Sequence, residues 1–74
     1  MTIEECIVVV LAQANRGLTT EQIADTINRK RMHIRADGKS VSGRQVYAVV
    51  CRNPAMFIKE GGRIMLMIWI SVSD

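Results

Sequence analysis

The sequence is poor in the residues that staple, metallate or activate small domains. Cysteine occurs twice, at Cys6 and Cys51, far apart and in no CxxC or Cys/His metal spacing. That pattern reads as two free thiols in a reducing compartment rather than a disulfide or a metal site. Histidine occurs once, at His33 in a polar connector, with no second His or Cys placed to share a metal. No metal and no cofactor is expected. Long apolar runs are absent too: residues 64–70 are apolar, but a helix needs about 20 such residues to cross a bilayer. Glu4 and Glu5 stand where a secretory signal would carry basic residues.

Catalytic constellations are also missing. The sequence offers no nucleophile–base pair, no carboxylate dyad and no phosphate loop. Asp37-Gly38-Lys39-Ser40 resembles the tail of such a loop, but the upstream glycine is absent and no strand precedes it. A lone histidine in a connector has no partners for acid–base work. The chain is therefore expected to be non-catalytic, with no small-molecule substrate.

What is present is a single short domain, residues 1–74, with no internal repeat, low-complexity tract or linker. The net charge of +3 conceals an asymmetry. Residues 1–28 carry Glu4, Glu5, Glu21 and Asp25 against Arg16, a net of −3. Residues 29–63 carry nine Lys/Arg against Asp37 and Glu60, a net of +7. Such a division favours a polyanion on one face.

Three segments open with the same device. Thr2/Glu5, Thr19/Gln22 and Ser42/Gln45 all have capping-box spacing. The first is followed by Ile3, Ile7, Val10, Leu11 and Ala14 at helical spacing, with Gly17 just past the end. The β-branched run Val8–Val10 disfavours a helix, and the caps outweigh it. The second segment is a helix of about ten residues, with Ile23, Ala24 and Ile27 inward, Leu18 as a hydrophobic staple, and Arg29, Lys30 and Arg31 at its end. A basic connector follows, with a turn at Asp37-Gly38. The third helix spans about residues 42–53, stapled by Val41 on Val46 and stopped by Asn53-Pro54. Gly61-Gly62, between two apolar runs, marks a two-residue hairpin turn, giving a hairpin over about residues 57–72. Three helices followed by a hairpin is an α+β chain in winged-helix order, with the hairpin as the wing.

On a wheel of 100° per residue, Val46, Val49 and Val50 form the core side of the third helix. Arg44, Ala48 and Cys51 lie opposite, flanked by Gln45 and Arg52 on one side and Tyr47 on the other. This outer face suits a major groove. Arginine can reach guanine O6 and N7, glutamine can pair with adenine, and alanine can meet a thymine methyl. The amides at Ser42 and Gly43 also favour a phosphate. An ordinary amphipathic helix would turn the same face to water. The basic connector (Arg29, Lys30, Arg31, Arg35, Lys39), Lys59 and Arg63 on the wing, and the acidic first two helices favour the groove instead. The expected partner is duplex DNA, contacted by these residues together with Arg44, Gln45, Tyr47, Ala48 and Arg52. The expected location is cytoplasmic, nucleoid-associated if the chain binds DNA. A protein-interaction module on the same fold is the alternative.

LTTEQIADTINRK, then DGKSVSGRQVYAVVCRNPAMF, then GGRIML is similar to the HARE-HTH domain and its prokaryotic winged-helix relatives. Their pattern is an "LT..EIA..I" second helix, a "GK" turn, a third helix, "NP..F" and a short hairpin. The resemblance covers about residues 3–66 and implies core positions at Ile23, Ile27, Val46, Val50, Phe57, Ile64 and Leu66. It also implies a DNA-associated role, since such domains accompany restriction enzymes, repair factors, polymerase subunits and chromatin proteins. It supplies no defined set of base-contacting residues, so the site above rests on the wheel and the charges.

Two features depart from that pattern. The connector between the second and third helices is about a dozen residues long, against the 3–4 residues of a tight helix-turn-helix. The last strand continues past Leu66 through MIWIS. On alternation, Ile64, Leu66, Ile68 and Ile70 face one side and Met65, Met67 and Trp69 the other. A strand apolar on both faces asks for cover, as do Val8 and Val9 off the first helix's stripe. A homodimer through Met65, Met67 and Trp69, by strand pairing or by docking the strand on a first helix, is expected; the alternatives are that Trp69 and the methionines wrap back over the chain's own helices or that the strand packs on a neighbouring domain.

Overall fold

A computed structural model describes residues 1–71, with side chains through Trp69. The chain is α+β in the layout of a winged helix: α1 Ile3–Ala14, α2 Thr20–Arg29, α3 Gly43–Arg52, β1 Phe57–Glu60, β2 Arg63–Leu66 and a short α4 Ile68–Ser71. All three long helices start at complete capping boxes. At α1 the Thr2 N–H donates to Glu5 Oε1 (2.9 Å) and the Glu5 N–H to Thr2 Oγ1 (3.2 Å). Thr19/Gln22 and Ser42/Gln45 repeat the exchange. Each box satisfies two amides that a helix start leaves without partners. The start of α1 is therefore fixed locally, ahead of Val8–Val10.

The ends are made differently. Asn15, at φ 55°, is the left-handed residue that closes α1, donating its N–H to Leu11 O at 2.8 Å. Gly17, expected as that stop, has another use. A Cβ there would lie 3.0 Å from Met65 Cγ and 3.3 Å from Arg63 Cβ, so glycine lets the α1–α2 corner lie directly against the hairpin. From that corner Leu18 pairs with β2: its N–H donates to Ile64 O (3.1 Å), and the Ile64 N–H donates to Leu18 O (2.6 Å).

β1 and β2 pair antiparallel, from Phe57 opposite Leu66 to Glu60 opposite Arg63. Gly61 and Gly62 turn at φ 59° and 80°. Both are left-handed, as a two-residue turn matching the strand twist requires. Alternation puts Phe57, Ile64 and Leu66 into the core. These three, with Ile23, Ile27, Val46 and Val50, are all buried. Cys6, Ile7, Leu11, Leu18 and Val41 join them in one cluster.

The C-terminal strand is shorter than the alternation predicts. β2 ends at Leu66, and the chain turns into α4 instead of running to about residue 72. Trp69 lies half-buried against the core on that turn, and Val8 also packs against it. Met65 folds over Gly17. The extended two-faced strand on which the pairing through Met65, Met67 and Trp69 rested is therefore not formed. Four apolar residues in succession, Met67–Ile70, fit a strand pattern and a helical turn equally well, and in the turn Trp69 packs on the core while Ile68 stays exposed. No helix among the described residues is long and apolar enough to cross a membrane.

Candidate nucleic-acid interface

The core-facing residues of α3 are Gly43, Val46, Val49 and Val50. Arg44, Tyr47, Ala48, Cys51 and Arg52 are exposed on its outer side, in the arrangement the wheel predicts. Gln45 differs. Its Oε1 accepts the Ser42 N–H at 3.0 Å as half of the capping box, so its amide cannot pair with adenine through both atoms while the box stands. Only its NH2 is free to donate.

The start of α3 is also occupied. A Cβ on Gly43 would lie 2.9 Å from the Glu21 carboxyl carbon, so that carboxylate stands directly over the first turn. A carboxylate there complements the helix dipole and adds negative charge beside the amides expected to meet a phosphate. Glu21, Asp25, Asn28, Ser42 and Arg44 share one hollow between α2 and α3. Arg44 thus leaves the helix beside two acidic residues.

The wing reaches α3 on one side only. Lys59 shares the core-facing side of β1 with Phe57 and stands at its outer end, where its ammonium sits 4.8 Å from the Tyr47 ring centroid. Arg63 is on the opposite side of the hairpin, where its Nη1 donates to Gly17 O at 3.2 Å. The sequence places both cations on the wing; the structure brings only Lys59 to α3.

The connector's cations divide in the same way. Lys30 turns back to α1 and donates from Nζ to Gln13 Oε1 at 3.2 Å. Arg29 pairs with Asp25 at 3.7 Å. Both line a cavity of about 350 Å³ between α1 and α2. No residue of α3 lines that groove, although Asp25 also lines the hollow beside Arg44. Arg35 pairs with Asp37 at 2.8 Å inside the connector, where Asp37 Oδ1 also accepts the Lys39 N–H at 3.0 Å. Arg31, at φ 51°, and Lys39 are exposed. Arg52 sits at the other end of α3, in a hollow with Thr2, Glu4 and His33.

Asn28 was not legible as important, yet it fixes the connector. Its Nδ2 donates to Val41 O and its Oδ1 accepts the Val41 N–H, both at 2.8 Å. A lone asparagine near a helix end carries no pattern that marks it. His33 Nδ1 lies 2.7 Å from Met1 O, which ties the connector to the start of α1. Cys6 is buried, and burial pushes its thiol up from the ordinary value. Cys51 is exposed on α3 and both thiols are free. Among the described residues no group of His, Cys, Asp or Glu could hold a metal.

The outer face of α3, with Lys59 at its edge, is thus a surface of small centre and cationic margin, closed at its N-terminal end by carboxylates. In comparison with known proteins, no family model, no curated protein and no solved structure matches the chain, so the likeness to HARE-HTH domains stands on its motifs alone.

Proposed function

We propose that the chain is a non-catalytic module that binds duplex DNA with α3 and the wing. The observation that carries the reading is the convergence of Arg44, Tyr47, Ala48 and Arg52 on the exposed side of α3 with Lys59 from the wing. A helix with small residues at its centre and arginines at its margins fits a major groove, and a lysine beside it supplies a phosphate contact. Lys30 and Arg63 hold protein carbonyl oxygens, and Arg29 and Arg35 hold carboxylates. The phosphate-contacting set therefore narrows to Arg52 and Lys59, with Arg44 left for base edges and with Arg31 and Lys39 added if the connector takes part.

Titrating a duplex at several salt concentrations tests this. Each phosphate contact contributes a slope of about −0.9 in log K against log salt, so two contacts give roughly −1.8 and four roughly −3.6. Binding that is unmeasurable at low salt, or insensitive to salt, overturns the reading.

A protein partner is the second reading. Glu21 over the start of α3, with Asp25 in the same hollow as Arg44, favours it, because carboxylates there repel phosphate and attract a partner's basic side chain. Self-association through the C-terminal segment is a separate proposal; it now has to act through a helical turn rather than an added strand.

A further inference from the structure

We propose that Tyr47 is a positioning residue, whose ring holds the Lys59 ammonium beside the outer face of α3 so that helix and wing meet a polyanion as one surface. The proposal rests on the duplex-DNA reading above. Tyr47 and Lys59 belong to different elements, α3 and β1, and the ammonium stands 4.8 Å from the ring centroid, within the roughly 6 Å range of a cation–π contact. The register explains why they meet. Lys59 lies opposite Ile64, on the side of the hairpin that carries buried Phe57 and Leu66. The core-facing side of the wing therefore ends in a cation, and its stem runs toward the helix.

No carboxylate competes for that ammonium, because the ion pairs among the described residues are Arg29–Asp25 and Arg35–Asp37. Glu60, its sequence neighbour, projects from the other side of the strand. Tyr47 is 43% exposed, and its hydroxyl has no hydrogen-bond partner among the described residues. The ring face is thus the part of Tyr47 with a role in the free protein. An ammonium on a ring face keeps N–H donors for a phosphate oxygen. Fixing the long lysine side chain before binding removes part of the ordering cost at the interface. For an exposed pair the effect corresponds to about two- to fivefold in affinity.

The test compares the wild-type chain, Tyr47→Phe, Tyr47→Leu, Lys59→Ala and the Leu/Ala double variant on one mixed-sequence duplex, alongside NMR of the free proteins. The Lys59 Hε protons should be shifted upfield by the ring in wild type and Tyr47→Phe, and should return to their ordinary position in Tyr47→Leu. Tyr47→Phe should bind within about twofold of wild type. Tyr47→Leu should weaken binding about two- to fivefold at every salt concentration with an unchanged slope, because a freed Lys59 still reaches its phosphate. Lys59→Ala should reduce the slope by about 0.9, and Tyr47→Leu should then cost nothing more. Ordinary Lys59 shifts in wild type overturn the proposal. So does Tyr47→Phe binding as weakly as Tyr47→Leu, which would make the hydroxyl itself a DNA contact, and so do additive effects of the two substitutions. Absence of any binding by wild type overturns the duplex reading and this role with it, while the Lys59 shifts separately report whether the pair exists.

Discussion

Replacing Asn28 with alanine should be among the most damaging polar substitutions in this chain. The side chain makes two hydrogen bonds of 2.8 Å to the backbone of one residue, Val41. Val41 is 3% exposed, so water has poor access to the N–H and C=O that the substitution orphans. Two bonds at a net of about 0.5–1.5 kcal/mol each give a loss of about 1–3 kcal/mol. A chain of this size has a total stability of roughly 4–11 kcal/mol, so the loss is a substantial fraction. At about 4–8 °C per kcal/mol for a small domain, the melting temperature should fall by roughly 4–24 °C. Asn28→Asp supplies a sharper comparison. It keeps an acceptor for the Val41 N–H but sets a carboxylate against the Val41 carbonyl, so it should be no better than alanine at neutral pH. It should improve as the carboxyl is protonated. Thermal and urea unfolding followed by circular dichroism measures all three proteins. A cost below about 0.5 kcal/mol for Asn28→Ala, or neutral-pH stability of Asn28→Asp equal to wild type, refutes the assignment of Asn28 as the clamp between α2 and the connector.

Arg44→Ala should cost about 1–3 kcal/mol on a preferred duplex and little on others, whereas Lys59→Ala should weaken binding to every sequence; parental binding by both removes α3 as the reading surface. The Thr2 backbone N–H, with the Thr2 hydroxyl second, holds the Glu5 carboxyl below its ordinary value. This capping contribution should be complete above the unfolded-state value and lost as pH falls through the lower folded one. Glu5→Gln, which keeps the acceptor, should flatten that acid dependence as read by helix content against pH. Trp69→Ser should lower the melting temperature, because Trp69 packs on the core. If sedimentation at tens of micromolar instead finds a dimer that Trp69→Ser dissociates at unchanged stability, the C-terminal segment is a subunit contact.

The three helices were legible because their starts are written within four residues: Thr2 to Glu5, Thr19 to Gln22 and Ser42 to Gln45 each close a local ring of hydrogen bonds. The hairpin turn was legible for a similar reason, as adjacent glycines at 61 and 62 admit the two left-handed conformations. What sequence could not supply were the encounters between distant residues. Alternation over residues 64–70 gives no sign of where Leu66 should end the strand. Gly17 looks like a helix stop, although its smallness serves Met65 and Arg63. The composition of the site was readable as charge, but its assignment was not. Glu21 on Gly43, Lys30 on Gln13 and Lys59 on Tyr47 join residues 12 to 22 positions apart, and each decides whether a charged group faces outward or is already held.

The Leu18–Ile64 pairing has a consequence for the order in which the domain can assemble. The two residues exchange both backbone hydrogen bonds across most of the chain, and both are buried. A ribosome that has not yet released residue 64 leaves Leu18 without its partner and the α1–α2 corner without its cover. The helices can form early from their own caps, but closing so long a loop must precede the reward for this contact. Amide exchange should therefore find the Leu18 and Ile64 protons among the slowest in the molecule, opening with the whole domain, while β1, paired on one edge only among the described residues, frays first.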